Sequence, residues 1–403
     1  MSNAIAQTRQ TDSWLIKATL LLASTLTVMS GATISPSLPA MESHFADVNN
    51  AAFWVRLVLT MPALLIVIGS PVAGQLVDKL GRKPLLLSST VLYGLAGSSG
   101  LVLNSLFAIL AGRAFLGLAV AGVMVSATTL IADYYQGDAR ANFMGLQAAF
   151  MGFGGVLFLS VGGFVADLNW RYPFAIYLLA WLLVPAIAFT LFEPQVEKTP
   201  DDSSQPLSQF PIKLLGFIYA AVLLQMLVFY LIPVQLPFYL KQLSGASASK
   251  AGLAIALSTL FSAVASIGYG KLKQQLSFIS ILAIAFSLMG LGYIGIGLAS
   301  SYWLVLLVLI PTGIGLGFIM PNLNVWTSNE VPDDLRGRAL GGLTTFMFLG
   351  QFLSPIASSP VSSTLGLTAT YGLAGVLLVV VGVVLWIYKK QVCRFVGSSV
   401  GQS

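Results

Sequence analysis

Charged residues are scarce in this chain. Only 8% of its 403 residues are Asp, Glu, Lys or Arg, and 57% are hydrophobic, whereas soluble domains carry about 25% charged residues. The mean hydropathy is +0.87. Such a composition excludes a water-soluble globular fold, which would aggregate.

Residues for metal, redox and hydrolytic chemistry are equally rare. Cys393 and His44 are the only cysteine and histidine, so an internal disulfide is impossible and a metal cluster is not expected. We find no P-loop, nucleophile elbow or paired carboxylates. The sequence therefore predicts no enzyme, no metal, no cofactor and no ATP-driven step.

Long apolar runs are abundant. A helix needs about 20 apolar residues to cross the ~30 Å hydrocarbon core of a bilayer, and twelve runs meet that length. They cover approximately 15–35, 53–72, 85–103, 106–130, 143–166, 172–192, 214–238, 250–270, 276–298, 303–325, 339–361 and 369–388. The fold class is therefore predicted to be an all-α membrane protein with twelve transmembrane helices.

The basic residues predict the orientation of these spans. With both termini in the cytoplasm, fifteen of the twenty lysines and arginines fall on the cytoplasmic side and four on the other, with Arg113 inside the membrane. This is the positive-inside pattern. The net charge of +6 is thus explained by topology, and no nucleic-acid partner is expected.

An internal repeat divides the chain. With an offset of 196 residues, Gly117 matches Gly313, Arg140 matches Arg336, and Phe150-Met151 matches Phe346-Met347. The tract 193–212 is the most polar in the chain and reads as a flexible, solvated connector. We predict two pseudo-symmetric six-helix bundles, 1–192 and 213–403, joined by a cytoplasmic linker at 193–212.

The segment between the second and third spans carries the most informative motif. It holds two glycines, an acid and a basic cluster, which are Gly74, Asp78, Gly81, Arg82 and Lys83. We expect a tight turn there, because glycine adopts turn geometry that other residues resist. The segment resembles the loop signature of the major facilitator superfamily, G-x-L-x-D-(R/K)-x-G-R-(R/K).

This resemblance implies a secondary transporter that works by alternating access between two six-helix bundles. In such a protein Asp78 would lie near the N-terminus of the eleventh helix and latch the bundles together in one state, since a carboxylate is favoured there. Arg82 would reach Asp133 at the end of the fourth helix, and Arg140 follows after a short loop. Alternatively, these charges only enforce topology.

Arg113 is the one charge placed inside the membrane, where ionisable groups are functional candidates because they are costly. Its surroundings, Leu110 to Gly117, resemble the helix 4 signature of drug/proton antiporters, which implies a cavity-facing arginine linked to proton coupling. A structural arginine that donates to backbone carbonyls of the first helix is the alternative.

The predicted spans hold no acidic side chain within the membrane that could accept a proton. Every Asp and Glu falls in a loop or at the end of a span, although transporters commonly use buried acids or histidines as proton relays. The antiporter signature of the fifth helix is also incomplete, since Phe158-Leu159 replaces its Gly-Pro pair. The missing acids and the positive charge of Arg113 favour neutral or anionic substrates over lipophilic cations. Because of the incomplete signature, the resemblance does not by itself imply proton antiport.

The helices that line the cavity in the superfamily supply candidate substrate contacts. These residues are aromatic, Met or uncharged polar, a lining that suits amphiphilic molecules. They are Ser30, Thr33, Met124, Gln147, Phe150, Met151, Gln225, Phe229, Tyr230, Asn324, Phe346, Met347 and Gln351.

These observations predict a monomeric transporter of the bacterial inner membrane that exports small amphiphilic or drug-like compounds. Its partners are the lipid bilayer, a small-molecule substrate and, if export is proton-driven, protons. One alternative is uptake or facilitated diffusion of a neutral or anionic metabolite. A second is a membrane sensor that does not transport.

Overall fold

The computed structural model describes residues 13–194 and 211–396, and no strand occurs within those two ranges. The chain divides into two compact units, Met1–Thr199 and Pro200–Ser403. Residues 1–12, residues 195–210 of the predicted linker and residues 397–403 lie outside the described residues.

The N-terminal unit consists of helices with short connections. Its seven α-helices within the described range are α1 Trp14–Ala32, α2 Leu38–His44, α3 Ala51–Leu80, α4 Arg82–Ser98, α5 Leu106–Tyr134, α6 Gly137–Leu168 and α7 Leu179–Thr190, and its 3₁₀ turns are Ser35–Ser37, Ser99–Leu101 and Tyr172–Leu178.

The C-terminal unit is built in the same way. Its α-helices within the described range are α8 Ile212–Phe229, α9 Leu231–Ser244, α10 Ala248–Lys273, α11 Phe278–Leu298, α12 Tyr302–Glu330, α13 Asp333–Ile387 and α14 Lys389–Val396.

In the described part of the chain, ten helices are long and apolar enough to cross a membrane. One of the ten contains Gly366 at φ 81° and ψ 170°, a non-helical conformation that separates two spans within α13. In addition, α4 has 17 residues and continues into a 3₁₀ turn. Counting these yields the twelve spans predicted, and the all-α membrane fold is confirmed.

The first long helix of each unit breaks, which the sequence analysis missed. It predicted unbroken spans at 15–35 and 214–238, but α1 ends at Ala32 and α8 at Phe229. Each end lies four residues before a proline, Pro36 or Pro233. Proline has no N–H to donate to the carbonyl four residues earlier, so the hydrogen-bond ladder stops there.

Close helix packing repeats between the units. A Cβ added to Gly117 of α5 would lie 2.4 Å from the carbonyl oxygen of Pro62 in α3, and one added to Gly313 of α12 would lie 2.4 Å from the carbonyl oxygen of Ser258 in α10. Small residues allow membrane helices to approach this closely. The glycine pair matched at 196 residues thus has the same packing role in both units.

Candidate functional site

A single residue makes the turn between α3 and α4. The expected tight turn is present but is confined to Gly81, because α3 remains helical through Gly74 and Asp78 to Leu80. Within the segment 74–83 only Gly81, at φ 95°, has a positive φ. This conformation favours glycine, and a Cβ there would lie 2.8 Å from Oε1 of Glu193, whose side chain would have to move.

Glu193 caps the N-terminus of α4. Its Oε1 accepts a hydrogen bond from the backbone N–H of Arg82 at 2.7 Å, and its Oε2 accepts one from the backbone N–H of Lys83 at 2.8 Å. The first N–H groups of a helix have no partner within the helix, and the helix dipole favours an anion there. The carboxylate therefore holds the segment that follows α7 against the N-terminus of α4.

The two basic side chains of the motif tie further helices to this turn. Nε of Arg82 donates to Oδ2 of Asp133 at the end of α5, at 3.1 Å. Nζ of Lys83 donates to the carbonyl oxygen of Ala188 in α7 at 2.7 Å. The turn thus connects α5 and α7 at one end of the unit, and the predicted reach of Arg82 to Asp133 is present.

The other two charged residues predicted to take part in gating are exposed. Asp78 is exposed on the last turn of α3, and Arg140 is exposed in the first turn of α6. Arg140 follows the short connection between α5, which ends at Tyr134, and α6, which begins at Gly137, six residues before the predicted span. The latch between Asp78 and the other bundle stays a prediction.

Arg113 lies on α5 and is fully buried, with 0% of its surface exposed. Its Nε donates to the carbonyl oxygen of Val58 in α3 at 3.0 Å, and its Nη1 donates to the hydroxyl of Tyr177 at 2.9 Å. Its Nη2 donates to the carbonyl oxygen of Ser30 in α1. The guanidinium therefore joins α1, α3 and the 3₁₀ turn before α7.

The acceptors of Arg113 are well matched to its charge. Ser30 is among the last four residues of α1, whose carbonyl oxygens lack intrahelical donors. A buried charge is costly unless it is hydrogen-bonded, and these oxygens lower that cost. The geometry is the one expected of a structural arginine bound to the first helix; a role in coupling stays a prediction.

Paired tyrosines hold the broken helix in the N-terminal unit. The hydroxyl of Tyr93 in α4 donates to the carbonyl oxygen of Leu26 at 2.7 Å, and that of Tyr177 donates to Ser30 at 2.9 Å. Their ring centroids lie 5.8 Å apart.

The C-terminal unit repeats this arrangement. Tyr293 of α11 donates to the carbonyl oxygen of Val228 at 2.8 Å, and Tyr371 of α13 donates to that of Leu231 at 2.9 Å. The two ring centroids lie 5.7 Å apart. We call these four residues the tyrosine pairs. The acceptors Val228 and Leu231 flank the break after α8, whereas in α1 they are Ser30, in the last turn, and Leu26, about one turn earlier.

The substrate candidates of the N-terminal unit fall into two groups. Ser30 and Thr33 are buried, and their hydroxyls donate to the carbonyl oxygens of Thr27 and Met29 on their own helix. In contrast, Gln147 donates from α6 to Oγ of Ser24 at 2.8 Å. The other candidates are partly or fully exposed; they are Met124, Phe150 and Met151.

The substrate candidates of the C-terminal unit are mostly half-buried. Phe229 and Tyr230 pack edge to face at 5.5 Å beside the helix break, and Phe346 stacks on Tyr219 at 5.0 Å. Asn324 is exposed and donates to Met320 on its own helix. Met347 is partly exposed, and Gln351 is 8% exposed.

Gln225 differs from these residues. It is fully buried in α8, and neither its amide nitrogen nor its amide oxygen has a hydrogen-bond partner. An unpaired buried amide costs free energy. Its buried amide is therefore available to a ligand or a water molecule.

Carboxylates avoid the middle of the described helices. Asp78, Asp133, Asp167 and Glu330 lie in the last turn of their helices, and Asp138 lies in the first turn of α6. No group of three His, Cys, Asp or Glu side chains that could hold a metal occurs among the residues the structure describes.

Sequence reasoning missed Glu193 and the tyrosine pairs. Glu193 was assigned to the solvated linker because it begins a polar tract, whereas its partners lie 110 and 111 residues away. The tyrosines stand in apolar runs where an aromatic residue reads as ordinary packing. Their positions do not share the 196-residue offset, so the repeat did not reveal them.

Two segments of the chain match the same protein family. Residues 20–223 and 218–393 each match the sequence profile of the Major Facilitator Superfamily. The chain is 25% identical over 362 residues to quinolone resistance protein NorA of Staphylococcus aureus strain MRSA252, covering 88% of this chain and 92% of that protein. It is 27% identical over 387 residues to the class G tetracycline resistance protein of Vibrio anguillarum, covering 92% and 94%.

Solved structures with a similar fold are also transporters. The crystal structure of a D-xylose-proton symporter matches with a TM-score of 0.74 and 17% identity, covering 93% of this chain and 97% of that one. A bacterial homologue of the human lysosomal transporter Spinster, in an inward-facing and occupied conformation, matches with a TM-score of 0.71 and 18% identity, covering 94% and 96%. At these identities the likeness concerns the fold.

Proposed function

Because the chain belongs to the major facilitator superfamily, and is therefore a multi-pass membrane transporter of small molecules, we propose that it exports amphiphilic, drug-like compounds from a bacterial cell. Similarity to two resistance proteins over about nine-tenths of the chain carries this proposal. A transporter that confers resistance does so most directly by removing the compound. The proposed location is the inner membrane.

Charge determines the class of compound that we propose. The described helices hold no carboxylate in their middle turns, while Arg113 contributes a buried positive charge. A cation bound among these spans would have no acidic partner, and an unpaired charge in a low-dielectric site is costly. Neutral and anionic compounds are therefore the expected substrates.

Uncharged groups would bind these compounds. Gln225 offers an amide without a partner, and Phe229, Tyr230 and Phe346 offer aromatic surface. Apolar walls with a few polar groups are typical of small-molecule sites. We propose that Gln225 supplies the specific hydrogen bond and the aromatic residues supply most of the contact area.

Asp78 would control the transport cycle. It sits on the last turn of α3, beside a turn that Glu193, Arg82 and Asp133 hold in place. The resemblance to the superfamily implies that this carboxylate meets a helix N-terminus of the other bundle, where the helix dipole favours an anion. The proposal assigns Asp78 to this latch and Arg82 and Asp133 to positioning it.

Growth assays in an efflux-deficient bacterial host test the proposal. Wild type should protect cells against a quinolone or tetracycline, compounds named by the relatives, and against neutral or anionic toxic compounds more than against ethidium. Asp78→Asn and Gln225→Leu should lose protection, while Asp47→Asn, an exposed loop variant, should keep it. Robust export of ethidium-like cations by purified wild type would contradict the charge argument.

Transport direction and energy source need vesicles. In inside-out vesicles an exporter accumulates a fluorescent substrate, and an uptake carrier does so only in right-side-out vesicles. The proposal includes a proton gradient as the energy source, so an ionophore that collapses the gradient should abolish accumulation. Accumulation in right-side-out vesicles alone would favour metabolite uptake, and no flux in either would favour a sensor.

A further inference from the structure

A groove runs along the surface of the C-terminal unit between α10 and α12. Its volume is about 480 Å³. Apolar residues form its walls, among them Phe261, Val264, Ile314 and Phe318, and Lys271 lines one end. We call it the Lys271 groove.

Two glycines of α12 let it pack closely against α10 beside the groove. A Cβ on Gly313 would lie 3.0 Å from Cβ of Phe261, and a Cβ on Gly317 would lie 2.8 Å from Cβ of Ala265. The hydroxyl of Ser266 also donates to the carbonyl oxygen of Gly317 at 2.8 Å. α10 and α12 therefore pack closely, and the larger side chains of both helices line the groove.

Gly268 of α10 lines the groove and, having no side chain, leaves space there. Nothing lies within 4 Å of a Cβ added there, whereas the matching residue of the first half, at the 196-residue offset, is Val72. The neighbours Val264 and Ile267 are 58% and 83% exposed. Exposed apolar surface of this kind is typical of a membrane contact.

Length and charge identify the occupant. Phe261 and Lys271 are ten residues apart on α10, which spans about 15 Å, close to half of the ~30 Å hydrocarbon core. The groove is therefore about as long as one leaflet is thick. Lys271 is exposed at the end of it, and no ion pair within residues 13–194 and 211–396 involves Lys271.

The neighbouring lysine does not share this arrangement. Nζ of Lys273 lies 4.0 Å from the centre of the Phe278 ring and 3.4 Å from the carbonyl oxygen of Leu276. Lys273 is thus held by its own unit, and Lys271 remains available to an anion at the end of an apolar groove.

We propose that the Lys271 groove binds an anionic phospholipid, with one acyl chain along the apolar walls and the headgroup phosphate at Lys271. Basic pockets between membrane helices bind anionic headgroups in this way. The lipid would cover the seam between α10 and α12, and this role is independent of the transported compound and of the direction of transport.

Native mass spectrometry of the purified full-length chain tests the proposal. The protein is equilibrated with phosphatidylglycerol and phosphatidylcholine of identical acyl chains, and retained lipids are counted. Wild type should prefer phosphatidylglycerol, and Lys271→Gln should lower that preference about fivefold, as one lysine at a lipid surface contributes about that factor. Gly268→Leu should reduce retention of both lipids by filling the groove.

Matched variants separate the groove from general effects. Gly270→Leu adds the same side chain two residues away, where a Cβ also meets nothing within 4 Å, and Lys390→Gln removes an exposed lysine outside the groove. Both should behave as wild type. Lys271→Gln changes only an exposed side chain, so the headgroup test stands even if Gly268→Leu fails to fold.

Several outcomes would overturn the lipid site. They are the absence of any preference for phosphatidylglycerol in wild type, an equal loss in Lys390→Gln, and an equal loss of lipid in Gly270→Leu. Displacement of the bound lipid by millimolar inorganic phosphate alone would do the same, because it would identify a phosphate site without a role for the acyl chain.

Discussion

At the scale of single residues, the two glycines of the motif between α3 and α4 do different things. Gly74 is helical with open space around it, whereas Gly81 has φ 95° and faces Glu193. We expect Gly81→Ala to destabilise the protein by about 1–3 kcal/mol, the usual cost of such backbone strain. Gly74→Ala should be neutral or stabilise by up to about 1 kcal/mol, since alanine favours a helix. Thermal unfolding of the purified variants measures both.

The carboxylate of Glu193 supports a second prediction. Glu193→Ala leaves the N–H groups of Arg82 and Lys83 without their acceptor, and the loss of a helix cap costs about 0.5–2 kcal/mol. Glu193→Gln keeps an oxygen acceptor and should lose less. The exposed Asp47→Asn serves as the control in the same unfolding assay. Equal stability of Glu193→Ala and wild type would contradict the capping role.

The residue types of this motif could be predicted from sequence, but their arrangement could not. The pattern from Gly74 to Lys83 identifies the family and the pairing of Arg82 with Asp133. Glu193 escapes such reasoning because a capping carboxylate is defined by its partners, which lie about 110 residues away. Nothing local distinguishes it from the other acids of the polar tract.

At the scale of elements, apolar length predicts the spans well and their breaks poorly. About twenty apolar residues are needed to cross the bilayer whether or not the helix is continuous, so apolar length alone does not reveal the breaks within 15–35 and 214–238. The prolines at 36 and 233 do signal where α1 and α8 stop, since each helix ends four residues earlier. The connections at Gly81 and Gly366 are shorter than predicted because one glycine in a non-helical conformation ends a helix at once.

We expect the tyrosine pairs to stabilise the helices at these breaks. Tyr371→Phe removes one hydrogen bond to Leu231 and should cost about 1 kcal/mol. Tyr177→Phe also removes an acceptor from the buried charge of Arg113, so it should cost more, about 2 kcal/mol. Tyr388→Phe, at an exposed position just beyond α13, is the control. Equal losses in Tyr177→Phe and Tyr371→Phe would show that the guanidinium does not depend on the Tyr177 hydroxyl.

At the scale of the whole molecule, two units share a plan but not their charges. Both have a broken first helix, a tyrosine pair and a glycine contact between the second and fourth helices of the bundle. Only the N-terminal unit has the buried Arg113 and the turn capped by Glu193. Pseudo-symmetry thus accounts for the fold, and the charged residues that depart from it mark the N-terminal unit as the place to test gating and coupling.

The orientation of the whole chain can be measured through its single cysteine. Cys393 lies in α14, beyond the last span, and is partly exposed. The positive-inside pattern predicts that it faces the cytoplasm. A membrane-impermeant maleimide should therefore leave Cys393 unlabelled in intact cells and label it in inside-out vesicles, and labelling in intact cells would reverse the predicted topology.

The rate of that labelling carries its own prediction, because the thiolate is the reactive form. Burial raises the pKa of the Cys393 thiol, and the nearby Glu330 raises it further. A raised pKa keeps the thiol protonated to higher pH, so labelling should be slow at neutral pH and should keep accelerating at pH values where an ordinary cysteine has levelled off. Glu330→Gln removes the negative charge, lowers the pKa and should speed labelling at neutral pH, whereas Asp47→Asn should leave the rate unchanged. If Glu330→Gln labels no faster than wild type in inside-out vesicles, the end of α12 does not influence α14 electrostatically.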